Sequence, residues 1–139
     1  IGAFFLVKKP LFLLINGFDE NYFVYMEDLD FSKRAYDLGY TTVYITEAQA
    51  FHKGGGTSEK AKGKRLFYDV QSRVIYAFKH LGIMKGCLVM FFSWFIEPFL
   101  RLFNLLIKSN FNEIPEYFES YMLLYKYTYK TIKKGITKK

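Results

Sequence analysis

The sequence predicts an α/β chain that begins in sheet and ends in helix. Three observations carry that expectation. A short apolar run, residues 2–7, is cut off by Lys8-Lys9-Pro10, as a buried strand bounded by a turn would be. A stretch rich in β-branched and aromatic residues, 40–45, follows a segment of helical period, and 48–52 reads as another short strand. From Leu66 onward the apolar residues recur at helical spacing almost to the end.

Each element follows in order. Pro10 suits the first turn of a helix carrying Leu11, Phe12, Leu14 and Ile15. Asn16-Gly17 stops that helix, because both residues tolerate positive φ. Residues 18–25 lack a clean period and read as a loop whose rings pack inward. A second helix starts at Asp28 or Asp30. Phe31, Ala35 and Leu38 make its apolar stripe, and Gly39 stands where a C-terminal cap belongs. The strand at 48–52 runs to His52, and Lys-Gly-Gly-Gly-Thr-Ser at 53–58 is a loop suited to act as a closing lid. A long helix then carries Leu66, Val70, Val74, Ala77 and Phe78, with Arg73 and Lys79 on its polar side.

After Gly82 comes the most hydrophobic part of the chain, 83–107. Its uncharged core, 86–96, is 11 residues long. As a helix that is about 16 Å, well short of a hydrocarbon core of about 30 Å. Extension to Ile107 brings Glu97 and Arg101 toward the bilayer centre, at about 2.5–3.5 kcal/mol each. Pro98 would also kink the span. The expectation is therefore a helix lying in the membrane interface. Residues 115–139 form a Tyr-rich amphipathic helix that ends in Lys133, Lys134, Lys138 and Lys139.

A chain of 139 residues allows one domain of modest core. An aromatic content of 21% excludes a disordered chain. The single cysteine, Cys87, excludes an intramolecular disulfide and suits a reducing compartment. An apolar strand at the first residues leads one to expect a piece of a longer polypeptide. The net charge of +7 is uneven. Residues 1–52 hold four Lys/Arg against seven Asp/Glu, a net of −3, and residues 53–139 hold 16 against six, a net of +10. A nucleic-acid surface needs basic and aromatic residues on one face, which this division does not supply, so no nucleic-acid partner is expected. An acidic reaction centre followed by a surface-docking tail fits better.

The chemistry concentrates in residues 17–39. Asp19, Glu20, Glu27, Asp28 and Asp30 fall within twelve positions, interleaved with Phe18, Tyr22, Phe23, Tyr25 and Phe31. Carboxylates beside apolar rings are costly unless a cation, a helix N-terminus, a metal or a substrate answers them. A carboxylate at a loop-to-helix junction can act as general base toward a hydroxyl, and Asp28 is the candidate, with Glu27 and Asp30 shaping the site. The plainer reading is that Asp28 and Asp30 cap a helix and Asp30 pairs with Arg34 four residues on. His52, at a strand end beside three glycines, is either structural or a metal ligand.

Taken together, Gly-Ala-Phe-Phe-Leu-Val-Lys-Lys from Gly2, Gly-Phe-Asp-Glu-Asn-Tyr-Phe-Val-Tyr-Met-Glu-Asp-Leu-Asp-Phe-Ser-Lys-Arg from Gly17, Gly39-Tyr40, and His-Lys-Gly-Gly-Gly-Thr-Ser from His52 resemble the family 2 glycosyltransferases, nearest the rhamnosyltransferase-like enzymes of surface-polysaccharide assembly. The resemblance covers residues 1–79. It implies that 1–80 is the C-terminal, acceptor-side part of a GT-A fold, an α/β nucleotide-binding sheet, with 81–139 a membrane-associating helical tail. It also implies an inverting displacement from a nucleotide-sugar donor to a glycan or lipid-linked acceptor, on the inner, cytoplasmic face of the cell membrane. Carried over by position, Asp28 is the base and Glu27 its motif partner. Asp30, Tyr25, Arg34 and Gly55 border the substrate, Asp30 and Arg34 as the motif's tail that holds the loop in place, and His52 is a ligand or neighbour of a divalent metal, Mg2+ or Mn2+. The family's Asp-x-Asp metal motif is missing, since Asp28-Leu29-Asp30 belongs to the base motif, and Thr46 replaces a proline common in relatives. The chain alone is therefore expected to be inactive, and the alternative reading, from the apolar 83–107 stretch and the basic tail, is a non-catalytic membrane-interaction fragment.

Overall fold

The computed structural model describes residues 4–51 and 62–137. Its regular elements are helical: α1 (Lys9–Leu14), α2 (Glu27–Asp37), α3 (Lys62–Leu81), α4 (Ile83–Phe91), α5 (Glu97–Ile107) and α6 (Ile114–Thr137). A wide π turn, Phe92–Ile96, joins α4 to α5 without a break, and a short 3₁₀ turn, Phe111–Glu113, leads into α6.

The expected α/β architecture is therefore overturned, and with it the GT-A sheet. Among the described residues there is no strand: 5–8, 40–45 and 48–51 are irregular. The physical reason is pairing. A strand satisfies its backbone groups only against a neighbouring strand, and the described residues supply none. The β-rich composition of 40–51 is real, but Val43, Tyr44 and Phe51 lie exposed rather than packed on a sheet. At the N-terminus the expected buried strand is not found either, since Phe4 and Leu6 lie exposed. Phe5 and Val7 pack against a small core of Ile15, Phe31 and Ala35 without forming a strand.

The helix boundaries follow local chemistry. Pro10 lies in the first turn of α1, and Asn16 and Gly17 take the left-handed conformation just after it, at φ 57° and 64°. The start of α2 is one residue earlier than the expected Asp28, and Gly39, at φ 86°, ends it. Phe31 faces inward from α2, with Phe5 edge-on at 5.3 Å and Phe12 stacked at 5.7 Å. Burying such a ring stabilises the fold by about 1.5–3 kcal/mol.

A second core joins α3 to α5 and α6 through Val70, Tyr117, Tyr121 and Leu124, with Trp94 and Leu105 against them. Around Pro98 the helix replaces the hydrogen bond that proline cannot make. Pro98 brings no N–H to the carbonyl of Trp94, four residues earlier, and the Tyr125 hydroxyl donates to that oxygen at 2.9 Å. Tyr117 donates to the Pro98 carbonyl itself at 3.0 Å. The N–H of Glu97 reaches back five residues to the Phe92 carbonyl, the π-turn pattern. Glu97 faces α3, where Arg73 donates to it at 2.8 Å, and Arg101 donates at 2.7 Å from one turn on.

Candidate active site

The site is a turn folded against α3. Asp19 opens it, accepting from the backbone N–H of Asn21 at 2.9 Å and from the Asn21 side chain at 2.7 Å. Along one face of α3, residues three or four apart hold the turn in place. Ser72 donates to the Val24 carbonyl at 2.8 Å, Tyr68 stacks on Phe23 at 4.6 Å, and Arg65 Nε donates to the Tyr25 hydroxyl at 3.3 Å. Held at three points, the chain turns so sharply into α2 that Tyr25 and Met26 both have positive φ, 67° and 66°. Two consecutive non-glycine residues in that region are strained, and such strain concentrates at functional sites.

The strained pair delivers Glu27 and Asp28 to the first turn of α2, where unpaired N–H groups favour carboxylates. Asp28 is half-buried and accepts from the Leu29 N–H at 2.8 Å. One carboxylate oxygen of Glu27, Oε2, is buried without a hydrogen-bond partner among the described residues. Tyr25, Glu27 and Asp28, all expected at the site, are thus brought together.

Asp30 and Arg34 hold the loop in place, as the motif's tail implies. Asp30 is fully buried. It accepts from Arg34 Nε at 2.7 Å, His80 Nε2 at 2.7 Å and Lys79 Nζ at 2.6 Å, with the Tyr22 hydroxyl at 3.5 Å. Arg34 spends its remaining donors on the carbonyls of Ile15 and Gly17, the latter at 2.7 Å, which ties the end of α1 to α2. A substrate could reach Asp30 only by breaking this network. The plainer sequence reading, an Asp30–Arg34 pair, describes the contact found.

Burial alone pushes the Asp30 carboxyl up, but hydrogen bonds from Lys79, His80 and Arg34 outweigh it and hold the group below the usual carboxylate range. Lys79 also bridges to Asp19 at 2.6 Å, and chiefly through that bond lowers the Asp19 carboxyl to about 2. Burial lowers Lys79, while its bonds to Asp19 and Asp30 raise it above its ordinary value overall. Facing an ionised carboxylate, His80 carries its proton on Nε2.

Lys79, His80, Tyr22 and Arg65 were missed by sequence reasoning. Their partners lie 50, 40 or more positions away in most cases, and the available signal was a Lys-His pair closing α3 opposite an acidic loop. His52 and Gly55 lie outside the described residues. Among the described residues no three His, Cys, Asp or Glu side chains converge on a metal site, and Asp30 is committed to cations; His52, the expected ligand, lies outside them.

The chain is similar to N-acetylglucosaminyl-diphospho-decaprenol L-rhamnosyltransferase of Mycobacterium tuberculosis, in two strains, with 33% identity over 111 residues. That match takes in 78% of this chain and 35% of the relative. It is also similar to the rhamnosyltransferase WbbL of Escherichia coli K12, with 39% identity over 51 residues, 37% of this chain and 19% of that protein. The chain thus spans about a third, or less, of the length of the curated relatives it matches. No family model and no solved structure matches it. The similarity is to rhamnosyltransferases, a kind of glycosyltransferase, in agreement with the resemblance read from its residues.

Proposed function

We propose that the chain serves an inverting transfer of a sugar, rhamnose by similarity, from a nucleotide-sugar to a hydroxyl of a lipid-linked saccharide. Asp28 is the general base. It takes the hydroxyl proton as the new C–O bond forms at the anomeric carbon, while the nucleoside diphosphate departs with the electrons of the breaking bond. Glu27 and Tyr25 border the acceptor, with Arg65 beside Tyr25 as a cation for substrate phosphate or hydroxyl groups. A divalent metal would be held mainly by an Asp-x-Asp motif that this chain lacks, so no step is routed through one. The work takes place on the inner face of the cell membrane, to which the apolar and basic half attaches.

One observation supports this reading above the rest. Of the two carboxylates in Asp28-Leu29-Asp30, Asp30 is fully buried among cations, whereas Asp28 is half-buried in the first turn of α2. The test is Asp28→Asn in the full-length protein, with nucleotide-activated rhamnose and N-acetylglucosaminyl-diphospho-polyprenol. Transfer should fall by about 10²–10⁴-fold, the usual contribution of a general base. Equal turnover in the variant would sink the assignment.

A further inference from the structure

The helix from Ile83 to Ile107 runs unbroken for 25 residues, with a mean hydropathy of 1.5, and by length and composition it could cross a membrane. Its two sides differ. Met84, Leu88, Phe91, Phe95, Phe99 and Phe103 follow one another at three- and four-residue steps, and each is 48–76% exposed. The opposite side carries Gly86, Ser93 and Pro98, all buried, and Glu97 locked to Arg73 of α3. Gly86 sits so close to α3 that a Cβ there would lie 2.5 Å from the Phe78 ring.

We infer that this aromatic face docks flat on an anionic phospholipid leaflet, with the helix axis in the plane of the membrane and rings among the upper acyl chains. The inference rests on the membrane part of the proposed function and adds the face and its orientation. Spanning is disfavoured by what the helix is bolted to. A crossing helix would carry α3 into hydrocarbon, and with it Asp69, Arg73, Glu97 and Arg101. Lying flat leaves that charged cluster on the water side. The occupant is a lipid surface rather than a protein because the half holding this face is strongly basic, at +10 over residues 53–139. Lys85 and Lys108, both exposed, stand near the two ends of the helix, where long cationic side chains reach headgroups. The Tyr25–Asp28 turn rests on α3, so α3 spaces the proposed base from the lipid.

The test uses the full-length protein and vesicles of phosphatidylcholine with or without phosphatidylglycerol. An environment-sensitive label is attached at Cys87, which is exposed, or at Phe95→Cys or Phe103→Cys in a Cys87→Ser background. Flat docking predicts similar depth at all three positions by lipid-borne quenchers. It also predicts at least tenfold weaker binding for Phe95→Glu/Phe99→Glu, and partial release by salt. A profile deepest at position 95 and shallow at 87 and 103 means a crossing helix and overturns the inference. So does vesicle binding unchanged by the double substitution, and so does loss of self-association in its place, which would make the occupant a second copy. Asp28→Asn separates the two proposals, because its vesicle binding should equal wild type whatever becomes of its transfer activity.

Discussion

Replacing Asp30 by asparagine tests whether the acidic motif has been divided correctly into a structural and a reactive carboxylate. The wild-type side chain is fully buried and answers three cationic or imidazole donors, at 2.6–2.7 Å. Asparagine keeps the size but removes the charge, and its NH₂ must then face at least one of those donors. Breaking a buried ion pair costs about 3–5 kcal/mol when the partner stays buried. Here Lys79 is 33% exposed and Arg34 is 21% exposed, so both can recover some hydration. That places the expected loss near the lower end, about 3 kcal/mol. Equilibrium unfolding in urea reads it as a lower midpoint with an unchanged slope. Asp28→Asn, whose bond from the Leu29 N–H an amide oxygen can still accept, should cost clearly less than Asp30→Asn. Equal effects at the two positions would refute the division. So would an Asp30→Asn loss below about 0.5 kcal/mol, since the network would then be a crowd of surface contacts.

Two further outcomes follow from the same geometry. Asp19 and Asp30 have folded-state values below their unfolded ones, so their contribution is full above the unfolded carboxylate value of about 3.9 and is lost as the pH falls through the lower folded values, near 2 for Asp19. Urea midpoints should therefore drop between about pH 4 and 2, and Asp30→Asn should flatten that slope; a parallel decline in the variant would remove Asp30 from the acid response. Tyr125→Phe takes the donor from the Trp94 carbonyl and should cost about 0.5–1.5 kcal/mol in urea unfolding, since that hydroxyl is reachable by water and part of the loss is replaced. No change would mean that the π turn satisfies this carbonyl unaided.

What was legible in the sequence was whatever depended on neighbours along the chain. Pro10, Asn16-Gly17 and Gly39 mark helix ends because their backbone preferences act locally, and the structure ends its helices there. The Asp30–Arg34 pair was legible for the same reason, four residues being one helical turn. Strands were misjudged because a strand is a relation between two segments. The composition of 40–51 suits a sheet, and no amount of local propensity supplies the second strand. The acidic turn was located, but its inner and outer carboxylates could not be told apart without the cations that come from α3.

Helix α3 shows most clearly where a one-dimensional reading fails. Arg73 and Lys79 were assigned together to its polar side, yet six residues at about 100° each leave them roughly 120° apart around the axis. They face different neighbours. Arg73 meets Glu97 on the apolar helix, and Lys79 meets Asp19 and Asp30 under the acidic turn. The helix has no single polar side to expose, because its charges serve as bolts on two faces. One set fastens the candidate membrane float and the other fastens the candidate active site. On the proposed reading, the separation between base and lipid is set by the thickness of a rigid helix, and not by a loop that could stretch. If transfer depends on a lipid-linked acceptor, cutting either set of bolts should weaken activity toward that acceptor by different routes. Arg73 substitutions would act through membrane docking, and Lys79 substitutions through the position of Asp28.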